Sequence, residues 1–280
     1  MKRIRLGSTL AYNVNAAGAA FTFNVFPTLN AEQRIISESI ICIPEIPLEL
    51  ITSARGDRLL RVEAPAGPFE MRYSGEVELS RAPMPEAIAA DRPGRLPLSI
   101  LTYTLPSRYC ESDLLAPKAW ELFGSVPDRA EQVRAICRWV KANVVYTAGS
   151  TDSRTSAGDV WKLRKGVCRD FVHLAIALCR GLTIPARYVG CYAAGLEPMD
   201  FHACFEAYLG GAWRLFDATE DIGPDGMVVV ARGRDATQAG LTTIYGRVTP
   251  GPVKVECGVV EPIDPSPPSS SATPGQASIG

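Results

Sequence analysis

The chain has 280 residues, 46% of them hydrophobic, which is enough for a sizeable core and, at this length, for about two domains. Its 29 basic and 30 acidic residues leave a formal net charge of -1. That balance gives no long-range field to recruit nucleic acid or an anionic membrane, and no basic stripe interrupts it, so neither is expected as a partner. The opening MKRIRLGSTLAYNV lacks the apolar run of about 7–15 residues of a secretory leader, because Tyr12, Asn13 and Asn15 break it. No stretch approaches the ~18 apolar residues of a membrane span, and a cytoplasmic location is the expectation.

Residues 1–81 read as all-β. Leu10, Tyr12 and Val14 alternate with polar or small residues, as do Phe21, Phe23 and Val25, and Phe69, Met71 and Tyr73. Period 2 is the mark of a half-buried strand, and a small sandwich or barrel is predicted. A segment punctuated by Pro83, Pro85, Pro93 and Pro97 follows, and residues 82–97 are read as a linker.

From there to residue 261 the period changes. Ser112 or Asp113 is placed to cap a helix bearing Leu115, Ala119, Leu122 and Phe123. A second helix starts at Asp128, with Glu131 three residues on as in a capping box, and sets Val133, Ile136, Cys137 and Val140 on one face. Residues 167–180 are apolar on nearly all sides, which predicts a buried helix ended by Gly181, followed by a strand near Arg187–Tyr192. The tail from 262 to 280 is rich in Pro, Ser and Gly and is expected to be disordered.

Eight cysteines are scattered through the chain without a CxxC pair, so a zinc site or disulfide framework is not indicated and neither metal nor organic cofactor is implied. Seven read as small buried hydrophobes. Cys168 differs: it follows Gly166 at the start of the buried helix, where the macrodipole and unpaired N–H groups favour a thiolate. Gly166 is expected to leave room for a substrate backbone. Arg169 adds positive charge nearby.

A thiol nucleophile needs a base, and the chain offers two histidines. His173 lies five residues along the same helix, turned about 140° away from Cys168, and reads as a core histidine. His202 lies in FHACFEAYLGGAWRLFD, a hairpin around Gly210–Gly211. A two-residue loop sets Leu209 opposite Ala212, Tyr208 opposite Trp213 and Cys204 opposite Asp217. His202 and Asp217 then fall on one face as diagonal neighbours, within reach of each other. A slip of one residue would separate them.

GVCRDF around Cys168, GLTIPARYVGCY after it, FHACFEAYLGGAW around His202 and LFDATE around Asp217 together resemble the transglutaminase-like superfamily. SRYCESDLL and the N-terminal β region look like its bacterial cysteine-protease group. The resemblance implies an α+β fold with a papain-like core, a nucleophile helix packed on an antiparallel sheet, beside an N-terminal all-β domain. It implies that Cys168 is the nucleophile, His202 the base and acid, and Asp217 the orienting carboxylate. Cys204, where the family often has Trp, and Ala218, where Pro is common, depart from the pattern without removing a catalytic atom. The Cys168 backbone N–H is one expected oxyanion donor; Trp161 and Tyr146 are candidates for a second. The resulting expectation is a thiol hydrolase cleaving peptide or isopeptide bonds in a peptide or protein substrate. An amine-transferring transglutaminase and a non-catalytic binding module are the alternatives. The sequence assigns no oligomeric state.

Overall fold

A computed structural model of the chain describes residues 1–85, 88 and 93–260. The expected disordered tail lies outside the described residues, as do residues 86, 87 and 89–92 of the expected linker.

The N-terminal region forms strands β1 (Lys2–Val14), β2 (Ala19–Phe23), β3 (Gln33–Ile43), β4 (Glu49–Thr52), β5 (Arg58–Ala64) and β6 (Gly67–Leu79). Alternation decides which side chains turn inward: along β5 the sequence RLLRVEA buries Leu60, Val62 and Ala64 and exposes Arg61 and Glu63. Two sheets result and pack by their apolar faces, with Phe21 of one sheet 5.0 Å from Phe69 of the other, centroid to centroid. The sandwich expected from the period is formed.

The second region begins with helices α1 (Leu98–Leu101), α2 (Ser112–Phe123) and α3 (Arg129–Asn143). Strand β7 (Val145–Tyr146), helix α4 (Ala157–Leu163) and strand β8 (Lys165–Gly166) lead into α5 (Cys168–Gly181). Strands β9 (Ala186–Ala193), β10 (His202–Leu209), β11 (Ala212–Phe216) and β12 (Met227–Gly233) form an antiparallel sheet in the order β11-β10-β9-β12. Helix α5 lies on this sheet, and Phe171, Leu174, Ala175 and Leu178 are wholly buried in the shared core. Truncating Leu174 to Ala would cost about 2–5 kcal/mol.

Two capping expectations change in detail. Ser112 is the first residue of α2 rather than its cap, and Glu111, which precedes the helix, makes no side-chain cap bond. Asp128 caps α3 by accepting the Glu131 N–H at 2.7 Å, but the Glu131 carboxylate reaches Arg134 and Arg138 instead of closing a capping box. The closed capping box lies at α4, between Ser156 and Asp159.

One boundary is corrected. The single unit expected over 98–261 is not closed on itself, because its last strands return to the sandwich: β13 (Thr242–Tyr245) pairs with β2 and β14 (Val248–Val259) with β1. The unpaired edges of β1 and β2 are thereby covered. Buried hydrogen bonds lock the two regions together. The Gln33 amide accepts the Val229 N–H at 2.6 Å and donates to the Val229 carbonyl at 3.0 Å. The Tyr192 hydroxyl lies 2.8 Å from Ser8 Oγ and 3.0 Å from the Val25 carbonyl. Leaving such a group unpaired costs about 1–3 kcal/mol, so these bonds fasten the two regions across their shared boundary.

Candidate active site

The hairpin register is the one read from the sequence. Leu209 faces Ala212 and Phe205 faces Phe216, and Gly210 and Gly211 take φ of 58° and 81°, the left-handed conformation that a tight two-residue turn requires. Continued past β11, this register brings His202 Nε2 to 3.1 Å from Asp217 Oδ2. Asp217 is fixed in turn: its Oδ1 accepts the Thr219 N–H at 2.9 Å and the Thr219 hydroxyl at 2.8 Å. Both His202 and Asp217 are buried.

With Nε2 engaged, Nδ1 is the ring nitrogen left for Cys168, whose thiol hydrogen-bonds the imidazole. Burial works against a charged His202. The hydrogen bonds to Asp217 and Cys168 and the fields of Cys191 and Asp217 outweigh it and raise the imidazole to about 11. For Asp217, burial works the other way, and the contacts with His202 and Thr219 bring the net shift below the ordinary carboxylate range. The arrangement therefore favours a proton on His202 and a charge on Asp217.

Cys168 opens α5, half-buried, while the other seven cysteines are buried, and all eight are free thiols. The turn before it is shaped by Asp170, a residue that sequence reasoning passed over. Its Oδ2 accepts the Val167 N–H at 2.9 Å and the Thr151 hydroxyl at 2.5 Å, while Oδ1 holds the Arg169 guanidinium at 3.1 Å. The role expected of Gly166 changes accordingly. A Cβ there would lie 2.7 Å from Asp170 Cβ, so the glycine makes room for this cap, not for a substrate backbone. An aspartate in the first turn of α5 was the available signal.

The two oxyanion candidates separate. Trp161 stacks on Trp139 with centroids 5.0 Å apart, under the Arg164 guanidinium, and serves packing. Tyr146 sits beside Cys168; burial first, then the field of Cys168, raises the phenol. Its position follows from the pairing of β7 with β8, Tyr146 opposite Gly166.

His173 is a wholly buried core residue, as expected. Its ring stacks on Tyr109 at 4.9 Å, leans on Tyr188 at 5.2 Å, and its Nε2 accepts the Ala236 N–H at 3.2 Å. Burial lowers it to about 3. Beneath His202, Cys191 and Cys204 pack with sulfurs 3.6 Å apart.

Cys168 and His202 open onto a cleft of about 660 Å³, within the range of small-molecule and peptide sites. Tyr109, Tyr188 and Asp200 line it from the second region, and Leu10, Tyr12 and Val253 from the sandwich. Among the described residues no group of three or more His, Cys, Asp or Glu side chains is arranged to hold a metal ion. No helix among them is long and apolar enough to cross a membrane.

Fold and site define a class. The sequence profile of the transglutaminase-like superfamily matches residues 118–218, the stretch that carries Cys168, His202 and Asp217. The chain is 39% identical to a Cytophaga hutchinsonii protein provisionally described as a cysteine protease, whose crystal structure it matches with a TM-score of 0.86 over 95% of this chain and 93% of that one. The protein belongs to the transglutaminase-like superfamily. It is also 34% identical over 126 residues to an uncharacterized Mycobacterium leprae protein, and 35% identical over 111 residues to an uncharacterized Mycobacterium tuberculosis protein. Those matches take in 40% and 39% of this chain, and they span 44% and 35% of the two relatives' lengths.

Proposed function

We propose that the protein is a cysteine peptidase or amidohydrolase in which Cys168, His202 and Asp217 act as a catalytic triad. The observation that carries this reading is the chain of contacts from the Cys168 thiol through the His202 imidazole to Asp217 Oδ2 at 3.1 Å, set at the N-terminus of a buried helix and open to a cleft. The description of the Cytophaga hutchinsonii relative agrees with it.

In this reading the proton of the Cys168 thiol moves to His202 first, in keeping with the raised imidazole, and Sγ then attacks the carbonyl carbon of an amide. The oxyanion of the tetrahedral intermediate is held by the Cys168 N–H and the Tyr146 hydroxyl. Collapse breaks the C–N bond, and the amine leaves with the proton from His202. Water then attacks the thioester, giving its proton to the same ring, and the acid is released as Sγ takes a proton back. Asp217 holds the ring orientation and balances the imidazolium. The substrate is a peptide or protein and the bond a peptide or isopeptide bond. The complement of eight free thiols supports action in a reducing, cytoplasmic compartment.

Hydrolysis is favoured over amine transfer because the exposed Asp200 forms part of the wall around Cys168, so water meets the thioester without a dry channel to exclude it. The test is to incubate the protein with a cleavable peptide and excess primary amine and to weigh the products. Free acid is expected to dominate. A dominant amine conjugate would move the assignment to a transglutaminase, and no product at all with Cys168 unreactive would leave a binding module.

A further inference from the structure

The cleft has an apolar wall that the reaction leaves unused. Leu10 and Tyr12 of β1 and Val253 of β14 contribute it from the sandwich, with Leu10 directly opposite Val253 in register. Leu241 adds to it from the segment leading into β13. Val253 is 53% exposed, an apolar side chain left in water beside a reactive thiol. Arg169 and Asp200, which also line the cleft, belong to the turns that carry Cys168 and His202, so charge gathers at the reacting end.

Gly190, in β9, also lines the cleft. Its backbone lies outside the left-handed region, and a Cβ there would find only ordinary contacts: Leu241 Cδ2 at 3.5 Å, Ala231 Cβ at 3.7 Å and the Ala239 carbonyl at 3.8 Å. Neither backbone nor packing demands a glycine at this position. What the missing side chain provides is depth in the cleft, the use of a strand glycine where a ligand approaches closely.

We propose that Gly190, Leu241, Leu10, Tyr12 and Val253 form a side-chain pocket that selects substrates with a bulky apolar residue, such as phenylalanine, beside the scissile amide. The proposal rests on the reading of the cleft as the substrate site. Burying one such side chain against these walls while expelling water gives a preference of about 10- to 200-fold over a substrate lacking it. The sandwich is then a specificity element rather than a passive support.

Calorimetry on the full chain carrying Cys168→Ala tests this without turnover, using acetylated Gly-X-Gly amides in which X is Phe, Ala or Gly. The Phe peptide should bind at least about 10-fold more tightly than the Gly peptide. Val253→Asp, at an exposed position, should remove most of that preference, and Gly190→Val should shift it from Phe toward Ala. Equal binding of Phe and Gly peptides, no binding of any of them, or a preference that survives both variants would overturn the pocket. Iodoacetamide labelling of the wild type reports on the thiol chemistry separately. Fast labelling of Cys168 without a Phe preference sinks the pocket alone. A Phe preference with Cys168 inert keeps the pocket and sinks the peptidase.

Discussion

The two histidines stand in regions that share burial and differ in everything else. His202, at the end of the sheet, meets a carboxylate on one ring nitrogen and a thiol on the other, and is raised to about 11. His173, in the middle of α5, lies between two tyrosine rings with a single backbone N–H on Nε2, and is lowered to about 3. Removal from water opposes the charged form of both. Only where an anion and a hydrogen-bond partner are aimed at the ring does the proton stay. Burial alone therefore does not set the charge of a histidine; the partners do.

The sharpest way to break this comparison is to remove each ring. In peptide-cleavage assays His202→Ala should lower kcat/KM by about 10⁴-fold or more, since a triad loses nearly all its rate with its base. His173→Ala should instead empty a stacked core site and cost about 2–4 kcal/mol in denaturant melts, with activity retained in the folded fraction. A folded but inactive His173→Ala beside an active His202→Ala would reverse the roles. Next in size, Asp217→Asn should keep the fold and cut the rate by roughly 10²–10⁴, because the ring loses its anion and its fixed tautomer. Tyr146→Phe, which removes the proposed second oxyanion donor, should cost about 10- to 10³-fold in kcat with little change in KM; an unchanged kcat would take Tyr146 out of the mechanism.

The smallest effect carries the clearest sign. His202 is raised, so its contribution to stability is whole below an unfolded value of about 6.5 and is lost as pH climbs toward 11. The lead in Tm of wild type over Asp217→Asn should therefore shrink from about pH 6 to about pH 10. His173 is lowered, so its contribution is whole above about 6.5 and is lost as pH falls toward 3. The lead of wild type over His173→Gln should shrink on acidification. Parallel profiles for the two pairs would show that the rings do not differ as described.

Much of this was already written in the sequence. Strand alternation gave the sandwich, the position of Cys168 marked the start of a buried helix, and the glycine pair set a register that put His202 and Asp217 on one face. These are local rules of period and turn geometry, and they hold wherever the chain lies. What they could not supply was which distant segments meet. That β13 and β14 leave the second region to cover the edges of β1 and β2 is a pairing across the length of the chain. So are the closing of Tyr146 on Cys168 through β7 and β8, and the placing of Leu10, Tyr12 and Val253 across the cleft from the thiol. Asp170 filling the space at Gly166 needed side-chain packing to be seen. The sequence by itself determined the candidate triad and the elements that carry it, because periodicity and turns are short-range. The tertiary structure decided the walls of the site, because contacts between segments far apart depend on the free energy of packing them together.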